Sequence, residues 1–172
     1  MSRAYQAPEP LDGRHELGGF ECRSTEQTEW LRRYARQSAA VGTTRVFVVT
    51  ESGSDVTVAY YAWCMAQVTA ETAPERLRKG ARRYPQPVAL LARLGVDRHH
   101  EGRGLGAALL QDVFARLMEM SAGIGCRGLL VHAESEEARK FYLHLVPEFE
   151  SSPTDDLHLI LLMKDIRRTI GQ

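Results

Sequence analysis

The sequence predicts a single α/β domain of 172 residues built around one sheet. Stretches with helical spacing alternate along the chain with apolar, β-branched stretches, and two of the latter are joined by a short turn. The strongest helical stretch lies between two strand-like stretches, an order that requires a right-handed crossover within one sheet. We therefore expect an antiparallel hairpin and a strand–helix–strand crossover in the same sheet.

The first half of the chain predicts one helix and one hairpin. Ser24 and Gln27 have the spacing of a capping box, and the apolar residues that follow recur at helical spacing, so we expect a helix over residues 25–38. Residues 43–49 and 56–68 are rich in β-branched and aromatic residues and are separated by the turn sequence ESGSD. These two segments predict antiparallel strands.

The second half predicts the crossover and the remaining strands. Apolar residues from Leu105 to Met118 keep helical spacing without interruption and predict the longest helix. Around it we expect a strand at 88–96, a strand at 127–132, a helix that Ser135 caps and that reaches about His144, and a last strand at 157–163.

Composition excludes several classes of protein. Twenty-two Lys and Arg balance 22 Asp and Glu, so no global electrostatic field attracts nucleic acid or a membrane.

The cysteines Cys22, Cys64 and Cys126 have neither disulfide-framework nor zinc spacing, which favours reduced thiols in the cytoplasm and no metal. The most apolar stretch, residues 56–70, is too short to cross a membrane. Residues 1–19 lack the pattern of a secretory signal and predict a flexible N-terminal arm of the single domain 1–172.

Residues 69–87 form a proline-rich, basic insertion between two predicted strands. Its cations outnumber the acids Glu71 and Glu75, in a chain with 19 Arg and 3 Lys. Arginine suits bidentate contact with phosphate, so we expect an exposed segment that binds phosphate groups. The candidate residues are Arg76, Arg78, Lys79, Arg82 and Arg83.

A glycine-rich loop, residues 98–106, separates the strand at 88–96 from the longest helix. Glycines expose backbone amides, and the helix N-terminus that follows favours negative charge, so a diphosphate is the expected ligand. A Walker loop requires G-K-[ST], which is absent, and a dinucleotide fingerprint has its first glycine directly after the strand. From these residues alone, a plain glycine-rich turn remains an alternative.

The stretch Leu94–Leu110 resembles the coenzyme A signature of the GNAT acyltransferase superfamily, Q/R-x-x-G-x-G/A, with Glu101 in its first position. Glu137–Tyr142 resembles the A-x-x-F-Y helix of the same superfamily. The resemblance implies a single mixed, mostly antiparallel sheet with a central splayed strand pair and flanking helices, acetyl-CoA as co-substrate, and Tyr142 as the general acid that protonates the leaving thiolate. The implied coenzyme-binding residues are Leu94, Gly95, Val96, Arg98, Glu101, Gly102, Arg103, Gly104, Leu105 and Gly106.

Further segments are similar to one branch of that superfamily, the toxin acetyltransferases of type II toxin–antitoxin modules. They are residues 42–49, residues 58–62, residues 93–97 paired with 102–106 ahead of 131–133, and residues 148–153. This resemblance implies acetylation of the α-amine of aminoacyl-tRNA, a block of translation, and tRNA as the target of the basic insertion. It also implies a small DNA-binding antitoxin, repression of the module's own promoter and a homodimer.

Other functions remain open at this point. The chain has the features of a GNAT enzyme that acetylates a small amine or a protein N-terminus, and a non-catalytic acyl-CoA-binding regulator is a third alternative. His132 and Glu134, at the end of a predicted strand, are candidates for a general base or for surface groups. The amine of an aminoacyl ester is partly neutral at pH 7, so the reaction does not require a strong base.

Overall fold

The computed structural model describes residues 4–79 and 84–171. Within these residues the strands are β1 (Glu9–Pro10), β2 (Arg45–Thr50), β3 (Thr57–Val68), β4 (Gln86–Val96), β5 (Gly128–His132), β6 (Glu150–Ser152) and β7 (Asp155–Leu162). The helices are α1 (Thr25–Arg33), α2 (Ala35–Ala40), α3 (Glu75–Arg78), α4 (Leu105–Ser121), α5 (Glu136–Leu145) and α6 (Met163–Ile170), with a 3₁₀ turn at Arg98–His100.

The strands follow one another in the order β1-β2-β3-β4-β5-β7-β6. β2 pairs antiparallel with both β1 and β3, and β7 pairs antiparallel with both β5 and β6. β4 and β5 pair in parallel, with Ala89 opposite Leu129 and Leu91 opposite Val131, as expected of strands connected through a helix. The predicted mixed, mostly antiparallel sheet, its hairpin and its strand–helix–strand crossover are confirmed.

The described chain divides into two compact units, each with its own core. Unit 1 comprises residues 4–64 and 92–112, and unit 2 comprises residues 65–79, 84–91 and 113–171. In unit 1, Leu31 of α1 and Ala35 of α2 are buried in the same cluster as β2 and β3 residues. The buried members of that cluster are Leu17, Phe20, Cys22, Leu31, Ala35, Val46, Val48, Tyr60 and Ala62.

The core of unit 2 includes part of the segment that the sequence predicts to be exposed. Ala73 and Leu77, from the insertion at 69–87, are 1% and 0% exposed and pack in a cluster with Val88, Leu130 and Ile160. The predicted exposure of this insertion is therefore wrong for Ala73 and Leu77. Leu77 is the buried residue of the short helix α3, and Ala73 is buried two residues before that helix begins.

The prediction of a flexible N-terminal arm is wrong for the described residues 4–19. β1 pairs with β2, and the backbone amide of Glu16 donates to the carbonyl of Asp55 at 2.8 Å. His15 is 2% exposed and its Nε2 lies 2.9 Å from Oε1 of Glu9. Backbone pairing with β2 and the following turn thus orders a segment whose polar composition had suggested a flexible arm.

Two element boundaries also differ from the predictions. The helix expected over 25–38 is divided at Tyr34, whose φ of −117° ends α1 and precedes α2. The last strand ends at Leu162, and Met163 begins α6, a helix that the apolar run at 157–163 concealed. The predicted caps are confirmed, since Ser24 accepts from the amide of Gln27 at 3.1 Å and Ser135 from that of Ala138 at 3.2 Å.

The described helices include none with the length and apolar character needed to cross a membrane. The three cysteines are free thiols, with Cys22 buried and Cys64 and Cys126 partly exposed.

Candidate active site

The end of β4, with the predicted coenzyme-binding residues Leu94, Gly95 and Val96, belongs to unit 1. Its pairing with β5 covers Ala89–Leu91, and the strand continues through Leu94, Gly95 and Val96. A Cβ added at Gly95 would lie 3.1 Å from Cε1 of Tyr60 and 3.4 Å from Sγ of Cys22. Glycine lets the strand approach these core side chains closely, and a larger residue would have to displace them.

Asp97 connects this strand to the glycine loop. Its carboxylate accepts hydrogen bonds from the backbone amides of Glu21 at 3.0 Å and His99 at 2.9 Å. Burial alone would raise the pKa of Asp97, but these two amides and the His99 side chain together lower it. The ionised carboxylate therefore anchors the start of the loop, a role that the sequence analysis did not assign.

The glycine loop has the backbone expected of a diphosphate cradle. Gly102 and Gly104 have φ angles of +75° and +79°, in a region where another residue costs about 1–2 kcal/mol. The carbonyl of Gly104 accepts from the amide of Ala108 at 3.0 Å, so α4 begins directly after the loop. The first amides of α4, including those of Leu105 and Gly106, have no acceptor within the helix and suit an anion.

Glu101 departs from the signature, and the structure shows what accompanies that departure. The guanidinium of Arg23 donates to both carboxylate oxygens of Glu101 at 3.0–3.2 Å. The pair brings a positive charge to the position where the signature has Gln or Arg, while 74% of the Arg23 side chain stays exposed. Sequence reasoning missed Arg23 because nothing local in the sequence connects it to the loop.

The two arginines of the loop have different surroundings. Arg98 lies 3.8 Å from Glu21 with both side chains about half exposed, so this pair contributes little to stability. Arg103 donates to the hydroxyl of Tyr5 at 2.8 Å, and that hydroxyl lies 2.8 Å from Nδ1 of His100. The N-terminal segment thereby orients Arg103 at the cradle.

Tyr142 lies in unit 2, on α5. Its ring is 6% exposed and packs edge-on against Phe141 and Phe149, with centroids 5.2 and 5.9 Å away. Burial raises the pKa of the phenol, and the negative charge of Glu134 raises it further. The hydroxyl makes no hydrogen bond with the residues that the structure describes. Tyr142 is therefore a protonated phenol whose hydroxyl has no acceptor among the described residues.

His132 faces a second imidazole across the β5–β7 pair. Its ring stacks on that of His158 with centroids 3.9 Å apart. Partial burial lowers the pKa of His132, and the neighbouring His158 lowers it further. The neutral form is favoured, which a base requires, but no described contact links His132 to Tyr142.

The structure separates the residues of the predicted tRNA-binding set. Arg76 donates to Glu150 at 2.8 Å and to the buried Asp165 at 3.0 Å, an arrangement that favours a structural role for its guanidinium. Arg78 and Lys79 are exposed at the end of α3. Arg82 and Arg83 lie outside the described residues.

Comparison with known proteins agrees with this geometry. A tRNA-acetylating toxin of Mycobacterium tuberculosis is 41% identical over 167 residues, covering 97% of this chain and 98% of that protein. The solved structure of the toxin AtaT complexed with acetyl-methionyl-tRNAfMet has a TM-score of 0.86, with 22% identity over 96% of this chain and 99% of that one. A tyrosine-to-phenylalanine mutant of AtaT, bound to the C-terminus of the antitoxin AtaR and acetyl-CoA, has a TM-score of 0.81, with 22% identity over 98% and 99% of the chains.

The two similar solved structures establish the fold of this chain, and the match to a family model establishes the family to which it belongs. Residues 20–145 match the acetyltransferase (GNAT) family, a span that includes β4, the glycine loop, α4 and Tyr142. Both the predicted fold and the predicted superfamily are confirmed, and this chain belongs to the GNAT acetyltransferase family.

Proposed function

We propose that this protein transfers the acetyl group of acetyl-CoA to the free α-amine of aminoacyl-tRNA and thereby blocks translation in the cytoplasm. The observation that carries the proposal is the 41% identity, over nearly the whole of both chains, to a protein named for acetylating tRNA. The structure of a fold neighbour with acetyl-methionyl-tRNA adds support for this acceptor.

The coenzyme half of the reaction is assigned to unit 1. Amides at the glycine loop and at the start of α4 bind the diphosphate, with Arg23 and Arg103 supplying positive charge. The backbone of Leu94–Val96 pairs with pantetheine as an added strand, and one amide donates to the thioester carbonyl. Bound acetyl-CoA supplies the activated acetyl group.

The proton transfer is assigned to unit 2. The neutral amine attacks the carbonyl carbon, a C–N bond forms, the C–S bond breaks and the amine releases a proton to solvent. Tyr142 donates its proton to the leaving thiolate, because the phenol is protonated at neutral pH and its hydroxyl has no described protein acceptor. Solvent then returns a proton to the phenolate.

A small DNA-binding antitoxin is the expected partner, because a cell that makes a translation inhibitor must silence it. A fold neighbour bound to the C-terminus of its antitoxin supports this partner. We further propose that the protein forms a homodimer and that its complex with the antitoxin represses the module's promoter.

The test is to incubate the protein with labelled acetyl-CoA and charged total tRNA, digest the tRNA, and identify acetylated aminoacyl-nucleosides by mass spectrometry. We expect the parent protein to give at least one such product and to arrest growth when expressed alone. If the soluble parent acetylates a small amine or a peptide N-terminus but no aminoacyl-tRNA, the proposal is wrong. The small-amine function then takes its place.

A further inference from the structure

Unit 2 contains a cleft whose charged lining comes from three separate parts of the chain. The cavity measures about 640 Å³, and we call it the cationic cleft. Its positive residues come from α3 and the residue after it, from the segment before β5, and from α6. They are Arg76, Lys79, Arg127, Lys164 and Arg167.

Protein groups satisfy only some of these cations. Arg76 is paired with Glu150 and Asp165, and Arg127 donates to Oε1 of Gln86 at 2.8 Å. In contrast, the side chains of Lys79, Lys164 and Arg167 have no ion-pair or hydrogen-bond partner among the residues that the structure describes. Like charges that converge on one cavity repel one another, so the arrangement is stabilised when an anion enters.

The first turn of α6 also lies at the cleft. Met163 and Lys164 form the first turn of α6, which has no side-chain cap, and the amide of Met163 donates to the carbonyl of Arg127 at 3.0 Å. Asp165, in the same first turn, is buried and paired with Arg76, so the unpaired positive charge at this end of α6 comes from Lys164 and Arg167. α6 and Arg127 are joined at the cleft by the same hydrogen bond.

We propose that the cationic cleft binds the sugar–phosphate backbone of the tRNA substrate, at a contact distinct from the catalytic Tyr142. This inference rests on the proposed function and extends it to residues that the sequence analysis did not select. An acidic protein segment is the alternative occupant, but protein docking uses apolar anchors, and the large apolar residues of the cleft, Leu162 and Met163, are only 8% and 4% exposed. Exposed cations beside buried large apolar side chains favour a polyphosphate backbone.

The first experiment measures binding of uncharged tRNA as a function of salt. We expect the double variant Lys164→Gln/Arg167→Gln to bind tRNA about tenfold or more weakly at low salt, with the slope of log affinity against log salt reduced by about 1–2. Arg168→Gln is the matched control, because Arg168 is on the same helix, 64% exposed and outside the cleft lining. The control is expected to bind as the parent does, and coenzyme A affinity is expected to be unchanged in both variants.

Cys126 provides an independent reporter, since it lines the cleft and is partly exposed. We expect tRNA to slow the alkylation of Cys126 by a maleimide, measured by peptide mass spectrometry, and to slow it less in the double variant. Equal tRNA affinity of parent and double variant, or alkylation insensitive to tRNA, overturns the inference. Loss of antitoxin binding with unchanged tRNA binding also overturns it and assigns the cleft to an acidic protein segment.

Because the binding assay needs no turnover, a failure of the cleft assignment is distinguishable from a failure of the proposed function. If the parent acetylates aminoacyl-tRNA but the double variant binds and reacts as the parent does, only the cleft assignment fails. If the parent acetylates another amine and not aminoacyl-tRNA, the proposed acceptor fails, and a parent that does not bind tRNA overturns both.

Discussion

Replacement of Tyr142 by phenylalanine separates catalysis from stability. The hydroxyl has no hydrogen-bond partner among the described residues, while the ring packs against Phe141 and Phe149. Tyr142→Phe keeps the ring and is expected to change the free energy of unfolding by less than about 0.5 kcal/mol. It removes the proton donor and is expected to lower the single-turnover rate of acetyl transfer by about 100-fold or more, which corresponds to roughly 2.7 kcal/mol in the barrier.

Tyr61→Phe is the matched control. The hydroxyl of Tyr61 donates to the carboxylate of Asp112 at 2.7 Å, so its removal is expected to cost about 1–3 kcal/mol of stability while leaving the transfer rate near that of the parent. Rapid-quench assays with saturating acetyl-CoA and urea unfolding of both variants measure the two effects. Equal single-turnover rates for parent and Tyr142→Phe would remove Tyr142 from the mechanism, and a large loss of stability would show that its hydroxyl is held by the protein.

Three further predictions concern the coenzyme cradle and the imidazole pair. Gly104→Val is expected to weaken coenzyme A binding at least tenfold in calorimetric titration, because valine is strained at φ +79°. Gly125→Val is the control, because position 125 is open and is expected to accept valine. Unchanged affinity of the Gly104→Val variant would place the diphosphate elsewhere. Arg23→Ala is expected to raise the KM for acetyl-CoA about fivefold, and an unchanged KM would show that its charge does not reach the coenzyme. Partial burial, and then the neighbouring His158, lower the pKa of His132 in the folded chain. As the pH falls below 6.5, the unfolded chain therefore takes up the proton first, and the free energy of unfolding decreases. Urea titrations on both sides of pH 6.5 should show that His132→Gln reduces this loss, and an identical pH dependence would exclude proton linkage at this residue.

Elements with a strong local signal were predictable. Helical spacing from Leu105 and the caps Ser24 and Ser135 correspond to α4, α1 and α5, because side-chain periodicity and capping act over a few residues. Elements that depend on partners distant in sequence could not be predicted from local signals. β1 is ordered by β2, and α3 is ordered because Leu77 enters the core of unit 2.

The candidate site divides in the same way. The glycine spacing predicted the backbone of the loop, because positive φ angles at Gly102 and Gly104 and a following helix N-terminus are properties of the local chain. Diphosphate binding at this loop stays a prediction. The partners of charged residues became known only from the folded chain. Glu101 forms an ion pair with Arg23, and Arg76 forms one with Asp165. The cationic cleft is lined by residues from α3, from the segment before β5 and from α6. Ion pairs and clefts form between segments far apart in sequence, and packing of the cores decides which charges meet.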